Sequence, residues 1–328
     1  MLHFLTWFII EVKNSMVNIL ITGGAGQLGS SLALKLSLKK DVTVVIIDNL
    51  STGDRTKVPK KDNIKFIRAD VNDYKDIISI FAKFRFKYVF HFAAVVGVER
   101  TLENPINVLN DIDGIKNVLS LSKNSEVERI FYSSSSEVYG EPFEIPQNES
   151  TTPLNSRLPY AIVKNVGEAF FKVYQREFGL DYTIFRFFNT YGPKQSNDFV
   201  MPRFMKLAMN NQPILIYGKG DQTRSFCYID DNIDTCLNTL YNEAYVNDVL
   251  NIGNDIEISI LQLAEKVIEI TKSKSEIMFL PSLKEGDMSR RCPDITKMKA
   301  LLGRDLISLE EGINKMMYHH NTYIIQKA

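Results

Sequence analysis

The 328-residue chain has few cysteines and few histidines, and each shortage excludes a class of protein. Its three cysteines, Cys227, Cys236 and Cys292, are widely and irregularly spaced, which fits neither a disulfide framework nor a zinc site. The compartment is therefore expected to be reducing, and the protein to be cytoplasmic. The four histidines, including His319 and His320, show no metal-ligand spacing, so no metal is expected.

The chain also lacks an excess of charge and a long apolar run. Lys plus Arg equals Asp plus Glu, so no net field recruits nucleic acid, and an anionic ligand must be held by local donors. The apolar segment Leu2–Ile10 is about half as long as a membrane span, and it has neither a basic n-region nor a cleavage site. We expect residues 1–15 to be an N-terminal extension or the product of a start assigned too far upstream, with a peripheral anchor as the alternative.

Beta-prone apolar runs alternate with helical patterns, which predicts an α/β fold with a doubly wound parallel sheet. The predicted strands are Val17–Thr22, Val42–Ile47, Ile64–Ala69, Tyr88–Phe92, Arg129–Ser133 and Tyr182–Phe187. Ligands of such sheets bind beyond the carboxyl ends of the strands, where this chain has Asp70–Val71, Ala93–Val95 and Ser133–Ser136. Residues 16–188 are expected to form a Rossmann-type domain with later strands from the C-terminal half, and residues 189–328 a smaller mixed α/β substrate lobe.

A glycine-rich turn follows the first strand. Gly24, Gly26 and Gly29 satisfy G-x-G-x-x-G, and Gly23 with the last two satisfies G-x-x-G-x-x-G. These glycines allow a tight turn, close approach of the backbone to a pyrophosphate, and close packing of helix on strand. Asp48 follows the second strand, where a carboxylate would bind both ribose hydroxyls and repel a 2′-phosphate. The pattern predicts a dinucleotide site that prefers NAD to NADP.

Ser135, Tyr160 and Lys164 have the spacing of a site that removes hydride from a carbinol carbon. Tyr160 and Lys164 would lie one turn apart on one helix face, so that the ammonium group can lower the pKa of the phenol. The tyrosine could then act as a base near neutral pH. A Tyr-x-x-x-Lys pair alone is also common among surface residues, so the prediction depends on the motifs around it.

These motifs occur in order along the chain: TGGAGQLG from Thr22, DNLSTG from Asp48, HFAA from His91, SSSSEVYG from Ser133, YAIVK from Tyr160, RFFNTYGP from Arg186 and TRSFCYIDD from Thr223. From about Met16 to Met317 the chain thus resembles the extended short-chain dehydrogenase/reductase family, specifically its nucleotide-sugar epimerases, dehydratases and decarboxylases. The resemblance implies NAD as cofactor, a nucleotide-diphosphate sugar as substrate, and a homodimer paired through a helix bundle. The helix from Tyr160 to Phe178, with Phe170, Phe171 and Tyr174, is the candidate for that paired face.

The resemblance also implies a role for each matching residue. The cofactor-binding residues would be Gly23, Gly26, Gln27, Leu28 and Gly29 at the pyrophosphate, Asp48 and Asn49 at the ribose, Asp70 and Val71 at the adenine, Ala93 and Ala94 along the channel, and Tyr160 and Lys164 at the nicotinamide end. The substrate-binding residues would be Ser135, Ser136, Asn189, Arg224 and one of Arg290 and Arg291. Asp111 stands where relatives carry Asn, and because a carboxylate cannot donate as an amide does, Asp111 is not assigned to the site.

The expected first step is oxidation of the sugar at C4, in which Tyr160 takes the hydroxyl proton, Ser135 aligns the hydroxyl, and NAD accepts the hydride. The fate of the 4-keto sugar depends on Ser136 and Glu137. In 4,6-dehydratases the residue before the glutamate is an aspartic acid that protonates the departing hydroxyl, and Ser136 is a far poorer acid. The Ser136–Glu137 pair resembles UDP-glucuronate decarboxylases, whereas the DNLSTG turn and the surroundings of FNTYGP resemble epimerases. Glu137 could also be a strand-end carboxylate that bonds only to nearby backbone.

We therefore expect an NDP-sugar 4-epimerase, with a UDP-glucuronate decarboxylase, a 4,6-dehydratase and a net C4 dehydrogenase as alternatives. A dinucleotide-binding sensor of the same fold would usually lack Tyr160 or Lys164, and both are present. An NADPH-dependent reductase of small carbonyl compounds is disfavoured by Asp48 and by the motifs that bind a diphosphate.

Overall fold

The computed structural model describes residues 16–97, 101, 103–282 and 290–327, with side chains up to residue 320. The expected N-terminal extension, residues 1–15, lies outside this part of the chain. Across the described ranges, no helix is both long enough and apolar enough to span a bilayer.

The strands follow the predicted alternation closely. They are Val17–Thr22 (β1), Val42–Asp48 (β2), Ile64–Arg68 (β3), Tyr88–His91 (β4), Arg129–Ser135 (β5), Asp181–Phe187 (β6), Thr190–Tyr191 (β7), Ile214–Tyr217 (β8), Thr223–Ser225 (β9), Cys227–Tyr228 (β10), Asp248–Ile252 (β11), Glu257–Ser259 (β12) and Ile277–Leu280 (β13). Seven of these form one sheet in the order β11-β6-β5-β4-β1-β2-β3, and all of its neighbouring strands are parallel. The predicted doubly wound sheet is confirmed. Its strand order reverses between β1 and β4, which is where ligands bind in such folds.

Helices cover both faces of the sheet. They are Gln27–Leu36 (α1), Tyr74–Phe84 (α2), Pro105–Asn124 (α3), Pro159–Phe178 (α4), Val200–Met209 (α5), Ile229–Tyr241 (α6), Ile260–Thr271 (α7), Thr296–Leu302 (α8) and Leu309–Lys327 (α9). Successive strand residues point to opposite faces, so Ile19 and Ile21 pack in the core with α1 and α6, and Leu20 packs in the core with α2, α3 and α4. This burial on both faces explains why the strands are continuous apolar runs.

The fifth strand continues two residues beyond its predicted end. Ser134 and Ser135 pair with Arg186 and Phe187 of β6, and a 3₁₀ turn, Ser136–Tyr139, follows at once. Buried strands favour apolar residues, so the polar serines predict the end of the strand. The hydrogen-bonded pairing with β6 nevertheless continues through Ser134 and Ser135. Ser135 is therefore held by the sheet and Glu137 by the turn after it.

The second half of the chain contributes β11 to the sheet and forms smaller elements around it. Strand β10 pairs with β7 and β13 with β8, both parallel, and β12 pairs with β9 antiparallel. Helices α5 and α7 pack together beside these short strands. The division into a cofactor domain and a substrate lobe at residue 188 stays a prediction.

One predicted surface is partly interior. Phe171 is buried in the core, with its ring centroid 4.7 Å from that of Tyr132, so it cannot form part of a paired face. Phe170 and Tyr174 are half-buried against the same core. The apolar side chains that the two adjacent helices do expose are Ile106 and Leu109 on α3 and Ile162, Val173 and Phe178 on α4.

Candidate active site

A cavity of about 330 Å³ opens at the carboxyl ends of the sheet strands, beside the reversal of strand order. Most residues assigned from the sequence lie on its walls. These are Gly23, Gly26, Gln27, Leu28, Gly29, Asp48, Asn49, Asp70, Val71, Ala93, Ala94, Ser135, Ser136, Glu137, Tyr160, Lys164, Asn189 and Arg291. The fold thus brings the dinucleotide motif and the Ser-Tyr-Lys residues to one site.

The glycine turn packs too closely against neighbouring backbone to allow side chains at two of its positions. Gly23 has a φ of 68°, and a Cβ atom on it would lie 2.7 Å from the backbone nitrogen of Ala93. A Cβ on Gly29 would lie 2.6 Å from the carbonyl oxygen of Gly23. Helix α1 begins at Gln27, and its N-cap, Gly26, supplies no side chain to the free N–H groups of the first turn. These donors fit the pyrophosphate of a dinucleotide.

Asp48 organises the turn as well as facing the cavity. Its Oδ2 atom accepts the backbone N–H of Ala25 at 2.9 Å, and its Oδ1 atom accepts that of Leu50 at 2.8 Å. Next to it, Asn49 donates from Nδ2 to Asp70 Oδ2 at 3.0 Å. The carboxylate is thus fixed at the end of β2, with lone pairs left for the hydroxyls of a ribose.

Ser135, Tyr160 and Lys164 meet at the other end of the cavity. The Lys164 ammonium group donates to the carbonyl oxygen of Ser133 at 2.7 Å and lies 5.7 Å from the centroid of the Tyr160 ring. Pro159 starts α4, as proline can at the first helical position, so Tyr160 and Lys164 share one face as predicted. The lysine therefore connects the end of β5 to the helix that carries the tyrosine.

The pKa values at this end are controlled by burial. Burial raises the pKa of Tyr160 above its ordinary value, and the charge of Glu137 adds to this, while a hydrogen bond between the Ser135 and Tyr160 hydroxyls opposes it. Burial also lowers the pKa of Lys164 to about 8, against the attraction of the Asp111 carboxylate. In this arrangement burial and Glu137 dominate the pKa of Tyr160, which differs from the expectation that Lys164 would lower it. Helical spacing gives the shared face but not the position of the ammonium group.

Glu137 and Arg291 form an ion pair on the cavity wall. The distance from Arg291 Nη1 to Glu137 Oε1 is 3.4 Å, and 9% and 17% of their side-chain surfaces are exposed. The backbone N–H of Glu137 is bonded to Ser135 Oγ at 3.2 Å. The side chain of Glu137 thus faces the reaction end of the cavity and is not occupied by nearby backbone.

Two of the predicted arginines do not line this cavity. Arg290, the alternative to Arg291, pairs with Glu257 on the surface. Arg224 is buried on β9 and donates to the carbonyl oxygen of Thr223 at 2.7 Å. The short pair β9–β12 holds the backbone of Arg224, and its contact with a diphosphate stays a prediction. Of Arg290 and Arg291, it is Arg291 that lines the cavity, and its role toward a substrate stays a prediction.

The structure adds Asp111 to the cavity wall, although the sequence argument left it out. Its Oδ2 atom accepts the backbone N–H of Val95 at 2.7 Å. Burial raises the pKa of Asp111, and the Val95 N–H and the charge of Lys164 oppose the shift. Here an acceptor is needed where an amide donor was expected, and no sequence pattern indicates the position of the Val95 N–H. Among the residues that the structure covers, no cluster of side chains could hold a metal ion.

Comparisons with known proteins agree with this geometry. The sequence profile described as "NAD dependent epimerase/dehydratase family" matches residues 19–253. A curated relative, the putative UDP-glucose 4-epimerase of Methanocaldococcus jannaschii, is 35% identical over 91% of this chain and 97% of its own. UDP-glucuronic acid decarboxylase 1 of Danio rerio is 32% identical over 94% of this chain and 74% of its own.

Solved structures show the same relationship. A UDP-glucose 4-epimerase from Thermotoga maritima, solved with UDP-glucose, is 31% identical with a TM-score of 0.88, over 94% of this chain and all of that one. The matched profile covers the glycine turn, the Ser-Tyr-Lys residues and the large sheet except the first two residues of β1. The chain belongs to the NAD-dependent epimerase/dehydratase family, within the extended short-chain dehydrogenases/reductases, and its cofactor is NAD.

Proposed function

We propose that this protein oxidises C4 of a nucleotide-diphosphate hexose to a transient 4-keto sugar and acts as an NDP-sugar 4-epimerase. The observation that carries the proposal is the position of Ser135, Tyr160 and Lys164 in the same cavity as Asp48 and the glycine turn. A dinucleotide held by its ribose and pyrophosphate at one end of this cavity extends toward the Ser-Tyr-Lys residues at the other.

Each residue has a distinct part in the first step. Tyr160, as a phenolate, takes the proton of the C4 hydroxyl, and Ser135 holds the oxygen by a hydrogen bond. Lys164 holds the Tyr160 helix at the end of β5 through the Ser133 carbonyl oxygen, and its buried ammonium group lies 5.7 Å from the centroid of the Tyr160 ring. When bound, NAD accepts the hydride from C4 and brings the positive charge of its oxidised nicotinamide ring. Return of the hydride to the opposite face of C4, and of the proton from Tyr160 to the C4 oxygen, gives the epimer without net oxidation.

Asn189 and the cavity arginine are the proposed substrate contacts. Asn189 lies on the wall and donates from Nδ2 to the carbonyl oxygen of Ser225 at 3.0 Å, which fixes the amide in the cavity. Because Arg291 pairs with Glu137, we place its guanidinium at the sugar and assign the diphosphate to Asn189 and Arg224. Ser136 lies between Ser135 and Glu137 on the same wall.

The Glu137–Arg291 pair favours one second candidate, a UDP-glucuronate decarboxylase. A guanidinium on the cavity wall could hold the C6 carboxylate of a uronate. Once C4 is a ketone, the C5–C6 bond can break with its electrons passing toward the ketone, carbon dioxide leaves, and C5 takes a proton. Return of the hydride to C4 and of a proton to its oxygen would then give a nucleotide-linked pentose, and the enzyme would be a lyase instead of an isomerase. A 4,6-dehydratase is less favoured because Ser136 replaces the acid that would protonate the departing hydroxyl.

The deciding experiment incubates the enzyme with UDP-, dTDP- and GDP-sugars, including UDP-glucuronate, in deuterated water and follows the products by NMR. We expect inversion at C4 with the C5 hydrogen retained. Loss of carbon dioxide would identify a decarboxylase, and a deuterated C6 methyl group a dehydratase. A stable 4-keto product accompanied by free NADH would identify a net dehydrogenase.

Two variants assign the roles in that assay. Tyr160→Phe should bind NAD with unchanged affinity and have no turnover, and full activity would overturn the assignment of the base. Glu137→Gln should leave an epimerase active and should abolish C5 exchange in a decarboxylase or dehydratase. If the wild type bound NAD but turned over no sugar, the protein would instead be a dinucleotide-binding sensor of the same fold.

The proposal also covers where the protein is located and how it assembles. Its three cysteines are free and buried, which fits a reducing compartment, and we propose that the protein is cytoplasmic. We also propose a homodimer paired through α3 and α4, because these helices expose Ile106, Leu109, Val173 and Phe178. No nucleic-acid partner is proposed, since the formal charge is balanced.

A further inference from the structure

A set of buried polar side chains lies beneath the reaction end of the cavity and has no part in the steps proposed above. Its centre is Arg186 on β6, which is 2% exposed. Arg186 Nε and Nη2 donate to the two carboxylate oxygens of Glu168 at 2.9 and 2.7 Å. Arg186 Nη1 donates to the hydroxyl of Tyr139 at 2.8 Å. One rigid guanidinium therefore holds two separate elements of the fold.

The Glu168 side of this set reaches the catalytic helix. Glu168 lies four residues after Lys164 on α4, so the two share a helix face. The Ser134 hydroxyl donates to Glu168 Oε1 at 2.6 Å. The neighbours of Ser134 are Ser133, whose carbonyl accepts from Lys164, and Ser135. The contact thus fixes the catalytic helix against the strand end that carries the reacting hydroxyl.

The Tyr139 side reaches the turn that carries Glu137. Tyr139 ends the 3₁₀ turn, and its hydroxyl donates to Asn251 Oδ1 at 2.7 Å. Asn251 Nδ2 in turn donates to the carbonyl oxygens of Gln147 and Asp294, at 2.9 and 3.2 Å. Asp294 comes three residues after the arginine that pairs with Glu137. This side therefore connects the turn that carries Glu137 to the segment that carries Arg291.

Stability alone gives a weak reason for such a set. Burying an ion pair costs desolvation, and well-packed apolar side chains of similar volume often serve stability equally well. Apolar packing does not supply directional hydrogen bonds that connect α4, the end of β5 and the 3₁₀ turn at once. We propose that Arg186, with Glu168 and Tyr139, forms a positioning set that holds the Tyr160–Lys164 helix at a fixed distance from the Glu137 turn. The inference rests on the proposed function, since it concerns the geometry of that reaction.

Tyr139→Phe tests the proposal with the smallest change. It removes one hydroxyl and keeps the ring, whose centroid lies 6.0 Å from that of Phe188, while Arg186 keeps both contacts with Glu168. We expect kcat to fall at least about 10-fold, because small misplacements of reacting groups reduce rates by up to about 100-fold. KM for the sugar nucleotide and the Kd of NAD should change less than about 2-fold, because the binding residues are untouched.

Tyr191→Phe is the matched control. Tyr191 is buried to the same extent as Tyr139, 1% exposed, and its hydroxyl donates to the carbonyl oxygen of Ser308 at 3.5 Å, outside the positioning set. Both variants lose a buried hydroxyl, and Tyr139→Phe is expected to lose more thermal stability, because its hydroxyl bonds to Arg186 and Asn251 at 2.8 and 2.7 Å whereas that of Tyr191 makes one contact at 3.5 Å. Only Tyr139→Phe should lower kcat. The proposal would be overturned if kcat fell equally in both variants, or if it fell in neither.

A second variant tests whether the set acts as one unit. Ser134→Ala removes the hydroxyl that bonds to Glu168 and should also lower kcat without changing the Kd of NAD. If both variants act through Arg186 and Glu168, the double variant should lose about as much as the worse single variant. Losses that multiply would refute a single positioning set. If Tyr139→Phe fails to fold, Ser134→Ala alone tests the proposal: a fall in kcat supports it, and an unchanged kcat refutes it.

The wild type separates this inference from the proposed function. If no sugar in the panel reduces bound NAD or is turned over by the wild-type enzyme, the proposed function fails. If the wild type is active and both single variants match it in kcat, the positioning set is refuted while the proposed function stands.

Discussion

His91 makes the stability of the cofactor end of the sheet depend on pH. Its buried imidazole ends β4, and Nδ1 lies 2.8 Å from Thr22 Oγ1 at the end of β1. Thr22 Oγ1 already accepts the backbone N–H groups of Phe92 and Ala93, both at 3.2 Å. The hydroxyl proton is therefore donated to Nδ1, which must be the unprotonated nitrogen of a neutral ring. Protonating His91 would place two donors against each other beside the glycine turn.

The size of the effect follows from the pKa of His91. Burial first, and the charge of Lys164 second, lower this pKa from 6.5 to about 3. Because the folded value lies below the unfolded one, the stability that neutral His91 gives is present above pH 6.5 and lost as the pH falls toward 3. Each pH unit in this window costs about 1.4 kcal/mol, so acidification by two units costs about 2.7 kcal/mol. That is a large fraction of a typical folding free energy of about 5–15 kcal/mol.

Urea unfolding of the wild type and of His91→Phe, followed by circular dichroism across this pH range, tests the argument. Phenylalanine keeps a ring stacked on Tyr132, whose centroid lies 6.0 Å from that of His91, and removes the titration. The wild-type advantage in unfolding free energy should be constant above about pH 7 and fall by about 1.4 kcal/mol per unit below 6.5. The other ionisable groups are common to both proteins and cancel. An advantage independent of pH would refute the buried neutral imidazole.

Two further predictions concern the cofactor and the assembly. Asp48→Asn places an amide N–H against the backbone N–H of either Ala25 or Leu50. The variant should therefore bind NAD about 10- to 100-fold more weakly and discriminate less between NAD and NADP, as measured by calorimetric titration of both. An unchanged ratio of the two affinities would contradict the role of Asp48. Val173→Glu should convert the proposed dimer to a monomer in light scattering, whereas Val246→Glu, at a site of matching exposure (39% against 41%), should not.

The parts of the site that could be predicted from the sequence are those in which a short segment determines the geometry. A buried strand, a glycine turn and a helix need only a few neighbouring residues, so Gly23 to Gly29 were identified together with Asp48 at the next strand end. Tyr160 and Lys164 were placed on one face because a helix repeats about every 3.6 residues. The positions of these residues depend on the local backbone conformation, which the sequence pattern specifies well.

The residues that were misplaced or missed depend on contacts between distant segments. Glu137 and Arg291 are 154 residues apart, and nothing in either neighbourhood indicates the pairing. Arg290 pairs with Glu257 and Arg291 with Glu137, and both partners lie far from the arginines in the chain, so the sequence around the arginines does not show which of the two faces the cavity. Asp111 belongs to the site because the fold brings the Val95 N–H to it.

The same division separates the two halves of the proposed reaction. Oxidation at C4 needs Ser135, Tyr160 and Lys164, whose relative positions follow from one strand end and one helix. We assign the fate of the 4-keto sugar to the charges of Glu137 and Arg291, which meet only through long-range contacts. A sequence can therefore keep every motif of the first half-reaction while a substitution far from them in the chain moves the Arg291 segment and changes the product. Identifying the product consequently requires measuring what happens at C5, since the shared motifs at C4 are compatible with every candidate.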